Sequence, residues 1–294
     1  MKKSIIVVTG GAGFIGSNLI ELLSQKTNYQ IISLDNYTTG SKSNHILNKK
    51  ILYLKGDTKE FYKFFKKKRK QIKVIFHFGE FSRIHQSFSA VNSCLNSNII
   101  GTSKVLQFCL DNKIKIIYSA TSASLGNNHQ DQHLSPYSYS KSFNMNLIIN
   151  LHNWYKLQYE IIYFYNVYGP RQIRKSNMAA VIGVFENQYI NKTPLTVVSP
   201  GTQKRRFTHV KDTVNACYFA WKKNNNTHYA IASRQSYSIK TVASFFGNKI
   251  RFIKERSGER FKSEIIKNIR GIKVNNLRGQ MDIIDYINNF KENN

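Results

Sequence analysis

Ser4-Ile-Ile-Val-Val-Thr-Gly-Gly-Ala-Gly-Phe-Ile-Gly16 is the stretch whose reading decides the architecture. Glycines at 10, 13 and 16 follow an apolar run and precede an amphipathic one. Gly10 lets the chain turn tightly, and Gly13 lets backbone N–H groups approach a pyrophosphate. Gly16 lets the following helix, with Phe14 and Ile15 in its first turn, pack close to the strand while its dipole faces the phosphates. About 20 residues on, Asp35 closes a second apolar run (Ile31, Ile32, Leu34), the place for a carboxylate that binds an adenosine ribose 2′-hydroxyl. A carboxylate there repels a 2′-phosphate, so the expected cofactor is NAD. Lys42 lies close enough in sequence to keep an NADPH-consuming reductase as an alternative.

Apolar runs of strand length recur at Ile5 to Val8, Ile31 to Leu34, Ile51 to Leu54, Val74 to Phe78, Ile114 to Tyr118 and Ile161 to Tyr165. Between most of them lie helical patterns, at Phe14 to Lys26, Thr58 to Lys70, Val91 to Asn112 and Tyr137 to Lys156. This alternation predicts an α/β fold, a Rossmann-type doubly wound parallel sheet with both faces covered. Its ligand site belongs at the carboxyl ends of the strands. We expect residues 1–165 to form the NAD-binding domain and residues 166–294 mainly a smaller C-terminal substrate-binding lobe, with some interleaving of segments.

The 294 residues suffice for such a domain plus a lobe. Lys2, Lys3 and the apolar run after them stop at Thr9-Gly10-Gly11, too short for a secretory signal, and no run approaches the roughly 18 apolar residues of a membrane span. Cys94, Cys109 and Cys217 are far apart and lack metal-ligand spacing, so neither a disulfide framework nor a metal site is implied. A cytoplasmic setting fits these features best. The net charge of +28 would suit a nucleic-acid partner, and a catalytically silent basic binding protein is the alternative of another class. The lysines, however, are spread along the chain among asparagines. Their densest cluster, Lys66 to Lys70, reads as the solvated end of a helix, where cations suit the dipole.

Tyr137 and Lys141 are four apart at the start of a helical pattern and so share a face. A free tyrosine titrates near roughly 10, so making it a base near neutrality means stabilising its phenolate by about 4 kcal/mol. One ammonium at about 4 Å in an effective dielectric of about 20 supplies that order of energy. Thr121 ends the preceding strand, where its hydroxyl can relay a proton. Tyr137, Lys141 and Thr121 are therefore the candidate catalytic residues.

With these residues in place, the chain resembles the extended short-chain dehydrogenase/reductase family of nucleotide-sugar epimerases and dehydratases. The resemblance runs over nearly the full length. It rests on Thr9 to Gly16, Asp35-Asn36, Gly56-Asp57, His77-Phe78-Gly79, Asn98-Ile-Ile-Gly-Thr102, Ser119 to Gly126, Ser135-Pro-Tyr-Ser-Tyr-Ser-Lys141, Tyr165-Asn-Val-Tyr-Gly-Pro-Arg171 and Arg205-Arg-Phe-Thr-His-Val-Lys-Asp212. It implies cofactor contacts from the glycine turn, Asp35, Asn36, Asp57 (toward adenine) and Thr58. Phe78, Gly79, Ser119, Tyr137 and Lys141 would lie along the rest of the dinucleotide, with Lys141 on the nicotinamide ribose. Asn98 would brace the active-site helix and the cofactor loop. Substrate contacts are implied for Thr121, Asn166, Asn177, Arg205 and Arg256, the arginines as bidentate clamps on a nucleotide diphosphate. A homodimer paired through Val91 to Asn112 and Tyr137 to Lys156 is implied as well.

Dehydratases of this family carry Asp-Glu after the catalytic hydroxyl, an acid and base for eliminating water. Here the pair is Ser122-Ala123. The minimal set that remains resembles UDP-hexose 4-epimerases, which remove hydride at C4 and return it to the opposite face. Some positions depart from the family pattern. Leu125-Gly126 stands for Tyr-Gly, and Arg206 stands for an acidic residue. In His77-Phe-Gly-Glu-Phe-Ser-Arg83, Glu80 and Arg83 form either a local ion pair or contacts to an unusual sugar. If the spacing from Arg256 holds, Ser263 takes a size-gating place that admits an N-acetylated sugar.

Overall fold

A computed structural model describes residues 3–125, 133–255, 258 and 264–294. The first half alternates strand and helix: β1 (Ile5–Thr9), α1 (Phe14–Lys26), β2 (Gln30–Asp35), β3 (Ile51–Lys55), α2 (Phe61–Phe65), β4 (Ile72–His77), α3 (Ile84–Ser89), α4 (Val91–Leu95), α5 (Thr102–Asn112), β5 (Lys115–Thr121), α6 (Pro136–Tyr155) and β6 (Tyr159–Phe164). Then come β7 (Val167–Tyr168), α7 (Val181–Ile190), β8 (Leu195–Val198), β9 (Lys204–Arg205), β10 (Thr208–His209) and α8 (Val210–Lys223). The chain ends with β11 (His228–Ser233), β12 (Tyr237–Ser238), α9 (Ile239–Phe246), β13 (Ile250–Ile253), β14 (Asn268–Ile269), β15 (Ile272–Gly279) and α10 (Ile283–Glu292).

Nine strands form one sheet in the order β14-β15-β11-β6-β5-β4-β1-β2-β3, parallel except for the β14–β15 pair. Successive residues of β1 feed opposite cores. Ile5 and Val7 pack with Val105, Phe108 and Ile148 of α5 and α6, whereas Ile6 and Val8 pack with Leu19, Ile20 and Cys217 of α1 and α8. Burial on both faces is why these strands read as continuous apolar runs. A third core, around Phe185, Val197, Phe246 and Ile287, belongs to the elements from β7 onward that leave the sheet. Residues after 166 are divided, since β11, β14 and β15 return to the main sheet.

Two helical patterns differ from the sequence expectation. Thr58 to Lys70 is broken: Asp57 caps a 3-10 turn at Thr58–Glu60, α2 follows, and Lys66–Gln71 forms a second 3-10 turn with its lysines mostly exposed. Val91 to Asn112 contains a six-residue π segment at Asn96–Gly101 between α4 and α5. Such wider turns re-aim side chains, and this one carries Asn98, fully buried.

The sheet order reverses at β1, which pairs with β2 on one side and with β4 on the other, so that β1-β2-β3 run outward one way and β4-β5-β6 the other. The turns after β1 and β4 therefore part to form a crevice.

Candidate active site

Glycines shape the floor of that crevice. Gly10 has φ +70°, a left-handed value that favours glycine, and a Cβ there would stand 2.8 Å from the Phe78 carbonyl carbon. A Cβ on Gly16 would come within 2.1 Å of the Gly10 carbonyl oxygen. The one close neighbour of a Cβ on Gly13 would be that same oxygen, at 3.1 Å, so its other side is open. Gly13 begins α1 with no side-chain cap, leaving the first-turn N–H groups of Phe14, Ile15 and Gly16 toward the cavity. Gly16→Ala should weaken dinucleotide binding at least tenfold and cost about 2 kcal/mol of stability by overpacking. Equilibrium NAD binding and urea unfolding of the variant check both.

The Asp35 carboxylate accepts the N–H of Ala12 at 2.9 Å and of Tyr37 at 2.8 Å. Burial pushes its pKa up, and those two N–H groups pull it back. Asp57 accepts from the Lys59 N–H and lies 3.3 Å from the Asn36 side-chain amide, at the same edge. Thr58 is buried beside Gly101.

Phe78 and Gly79 leave β4 under the control of one hydroxyl. Both donate their N–H to Thr9 Oγ1, at 3.1 and 3.0 Å. With two donors on it, Thr9 gives its own proton to His77 Nδ1 at 2.7 Å. His77 Nε2–H then faces Thr102 Oγ1 at 2.8 Å, and Thr102 donates onward to Glu80 Oε1 at 3.1 Å. Burial lowers the His77 pKa to about 4, so the imidazole that relays this chain is neutral.

A cavity of about 480 Å³ opens above these turns. Gly13 to Gly16, Phe78, Ser119, Thr121, Tyr137, Lys141, Asn166, Arg205 and Phe207 are among the residues that line it. Pro136 and the Ser135 side chain, which accepts the Ser138 N–H, start α6 at the cavity edge. The helix delivers Tyr137 in its first turn and Lys141 one turn beyond it, both largely buried. Thr121 Oγ1 accepts the Ala123 N–H at 3.2 Å and keeps its proton to donate.

Lys141 has a partner that residue spacing does not announce. Its ammonium forms an ion pair with Glu80 and donates to the Ser119 carbonyl at 2.6 Å. Glu80 also accepts from Tyr118 Oη and Asn144 Nδ2, each at 3.0 Å. Glu80 and Arg83 therefore do not pair with each other. Arg83 lines the cavity, donates to the Met178 carbonyl at 2.6 Å, and sits close enough to Tyr137 to feel its charge. Asn98 donates to the Phe81 carbonyl and to Ser140 Oγ, and its own carbonyl accepts from Asn144, so it ties the loop after β4 to α6 from behind the cavity wall.

The remaining candidates are less uniform. Asn166 lines the cavity with a left-handed backbone, and its amide donates to the Arg206 carbonyl. Arg206 turns away, its guanidinium held by the carbonyls of Ser233 and Arg234, so its unexpected charge does not join the cavity wall. Asn177 is exposed, outside the residues lining the cavity, and its carbonyl accepts from Gln86. Arg256, Ser263 and Gly126 lie outside the described residues.

Residues 6–232 match the model of the NAD dependent epimerase/dehydratase family, which is more than half of the chain. The chain belongs to that family. A putative UDP-glucose 4-epimerase of Methanocaldococcus jannaschii is 30% identical over 276 residues, 88% of either chain. Among solved structures, the UDP-glucuronic acid 4-epimerase of Bacillus cereus, in complex with a UDP-4-deoxy-4-fluoro-glucuronic acid and NAD, is similar at TM-score 0.80 and 25% identity, over 88% of this chain and 89% of that one. A dTDP-glucose 4,6-dehydratase of Streptomyces venezuelae is similar at TM-score 0.86 and 20% identity, over 99% and 97%, which shows the shared fold. The cofactor of this NAD-dependent family member is NAD. The open face of Gly13, the uncapped start of α1 and the carboxylate at Asp35 are groups that fit it. Among the described residues, no helix is long and apolar enough to cross a membrane.

Proposed function

We propose that this chain is a UDP-hexose 4-epimerase that recycles NAD within each turnover. The observation that carries the reading is the carboxylate count of the cavity. Among the described lining residues Glu80 is the one carboxylate, and it is engaged by Lys141, Tyr118, Thr102 and Asn144. Ser122 and Ala123, on the wall beside Thr121, offer no acid for eliminating water. What is left is proton exchange at one hydroxyl next to a hydride carrier.

In this mechanism Gly13 to Gly16 hold the pyrophosphate, Asp35 the adenosine ribose, and Lys141 the nicotinamide ribose. NAD held there would supply the hydride acceptor and, once reduced, the hydride donor. Tyr137 takes the C4 hydroxyl proton, directly or through Thr121, and returns it once the 4-keto sugar has presented its other face. Arg205 and Asn166, on the cavity lining, hold the nucleotide diphosphate and leave the hexose free to turn.

Purified protein given a UDP-hexose should equilibrate it with its C4 epimer, with bound NADH never exceeding a small fraction of sites. A panel of UDP-sugars showing no interconversion, together with stoichiometric NADH accumulation, refutes the reading. Turnover of UDP-glucose against UDP-N-acetylglucosamine then reports the size limit. We further propose that the protein acts as a homodimer. Val91, Ile100, Tyr139 and Phe143 form an exposed apolar surface on the helical segments named above, and sedimentation tests it.

A further inference from the structure

Glu80 is a buried carboxylate at a cavity whose chemistry, as read above, does not use it. Its side chain is about 1% exposed, and four donors from three elements converge on it. A carboxylate ringed by four donors, one of them an ammonium, is paired with Lys141 and not with a ligand in the cavity. The neighbours that bear on this charge come from every side: His77 on β4, Cys94 on α4, Thr102 on α5, Tyr118 on β5, Tyr137, Lys141 and Asn144 on α6, and Arg83 on the following loop. Burial keeps His77 neutral, the Cys94 thiol protonated and the Tyr118 phenol protonated. The formal charges next to the base at neutral pH are then Lys141, Glu80 and Arg83.

We propose that Glu80 is a positioning residue that clamps the Lys141 ammonium against the Ser119 carbonyl and offsets its charge, so that the cationic, oxidised form of the cofactor is accommodated beside that ammonium. An ammonium has three N–H donors, and Glu80 and the Ser119 carbonyl occupy two. One remains for the ribose or the phenol. With its charge offset, Lys141 repels the cationic nicotinamide of NAD less than a lone ammonium would, and it attracts negative charge at the Tyr137 oxygen less strongly as well.

The inference rests on the epimerase reading for its purpose but is tested without it. The ratio of NADH to NAD dissociation constants is measured on the apoprotein, with no sugar present. Contacts common to both forms cancel in that ratio. Glu80→Gln keeps the size and removes the charge, and should shift the ratio about fivefold toward NADH. Glu80→Asp, which keeps the charge, should restore the wild-type preference. In turnover the acidic limb of the Glu80→Gln pH–rate profile should move about one pH unit lower, with KM changing less than twofold. Should Glu80→Gln not fold, Lys141→Gln leaves the carboxylate unopposed and must shift the ratio the other way, toward NAD. An unchanged ratio in a folded Glu80→Gln protein overturns the inference and leaves Glu80 a structural anchor. Absence of sugar epimerisation in wild type refutes the epimerase reading while the binding ratio still decides this one.

Discussion

Tyr137→Phe should lower turnover about 10³-fold, equivalent to about 4 kcal/mol of barrier, while leaving NAD binding and the fold in place. The ring packs against Cys94 and Ala123, and phenylalanine fills the same space. The hydroxyl is all that is lost, from a residue on the cavity wall. Thr121 sits on the same wall and can carry a proton but has no means of keeping it, so it does not substitute for the base. Steady-state kinetics with a UDP-hexose, beside thermal unfolding of the same preparation, separates chemistry from folding. A melting temperature within about 2 °C of wild type with turnover reduced by less than tenfold removes Tyr137 from the mechanism.

Acidification should unfold this protein between pH 6.5 and 4, and two buried histidines set that window. His77 and His228 are both fully buried, and burial lowers each pKa from 6.5 to about 4. In the unfolded chain each takes up a proton near pH 6.5; in the native state each resists until about 4. The unfolded state therefore binds more protons throughout that interval, and stability, whole above 6.5, is lost as the pH falls through it. At about 1.4 kcal/mol for each unit of pKa, each imidazole costs about 3 kcal/mol by pH 4, a large share of a typical domain's stability. His228 accepts or donates within a hydroxyl pair, Tyr163 at 2.8 Å and Tyr159 at 3.4 Å, with no carboxylate among those partners to welcome a proton. Urea midpoints across the range should fall steeply in wild type. In His77→Gln, whose amide can still accept from Thr9 and donate to Thr102, the slope should be about half. Equal slopes in the two proteins would assign the acid lability elsewhere.

The first strand, turn and helix were readable from sequence because the relevant forces are local: α1 spans Phe14–Lys26, the limits its pattern marks. The parallel sheet with both faces covered was readable from strands that are apolar throughout, whereas its strand order comes from the structure. The π segment was not readable, since Asn96 to Gly101 has ordinary helical composition and the wider turn serves contacts from Asn98 to Phe81 and Ser140, 17 and 42 residues away. Nor does local pattern show that Thr58 to Lys70 breaks up, where a five-residue lysine and arginine run offers nothing to bury. Glu80 could be seen as an oddity, a charge at the end of an apolar strand, but its partner is 61 residues on. The odd Arg206 is similar, because only the fold brings the Ser233 and Arg234 carbonyls to it.

The hydroxyl of Thr9 couples mobility to global stability. By receiving Phe78 and Gly79 and giving to His77, it joins the end of β1 and the segment after β4 into one cooperative unit with the sheet. The amides of Phe78 and Gly79 lie outside any strand, yet their release requires β1 and β4 to come apart. Slow hydrogen exchange would extend into this loop, and the floor beneath the cofactor would keep its shape for as long as the molecule stays folded.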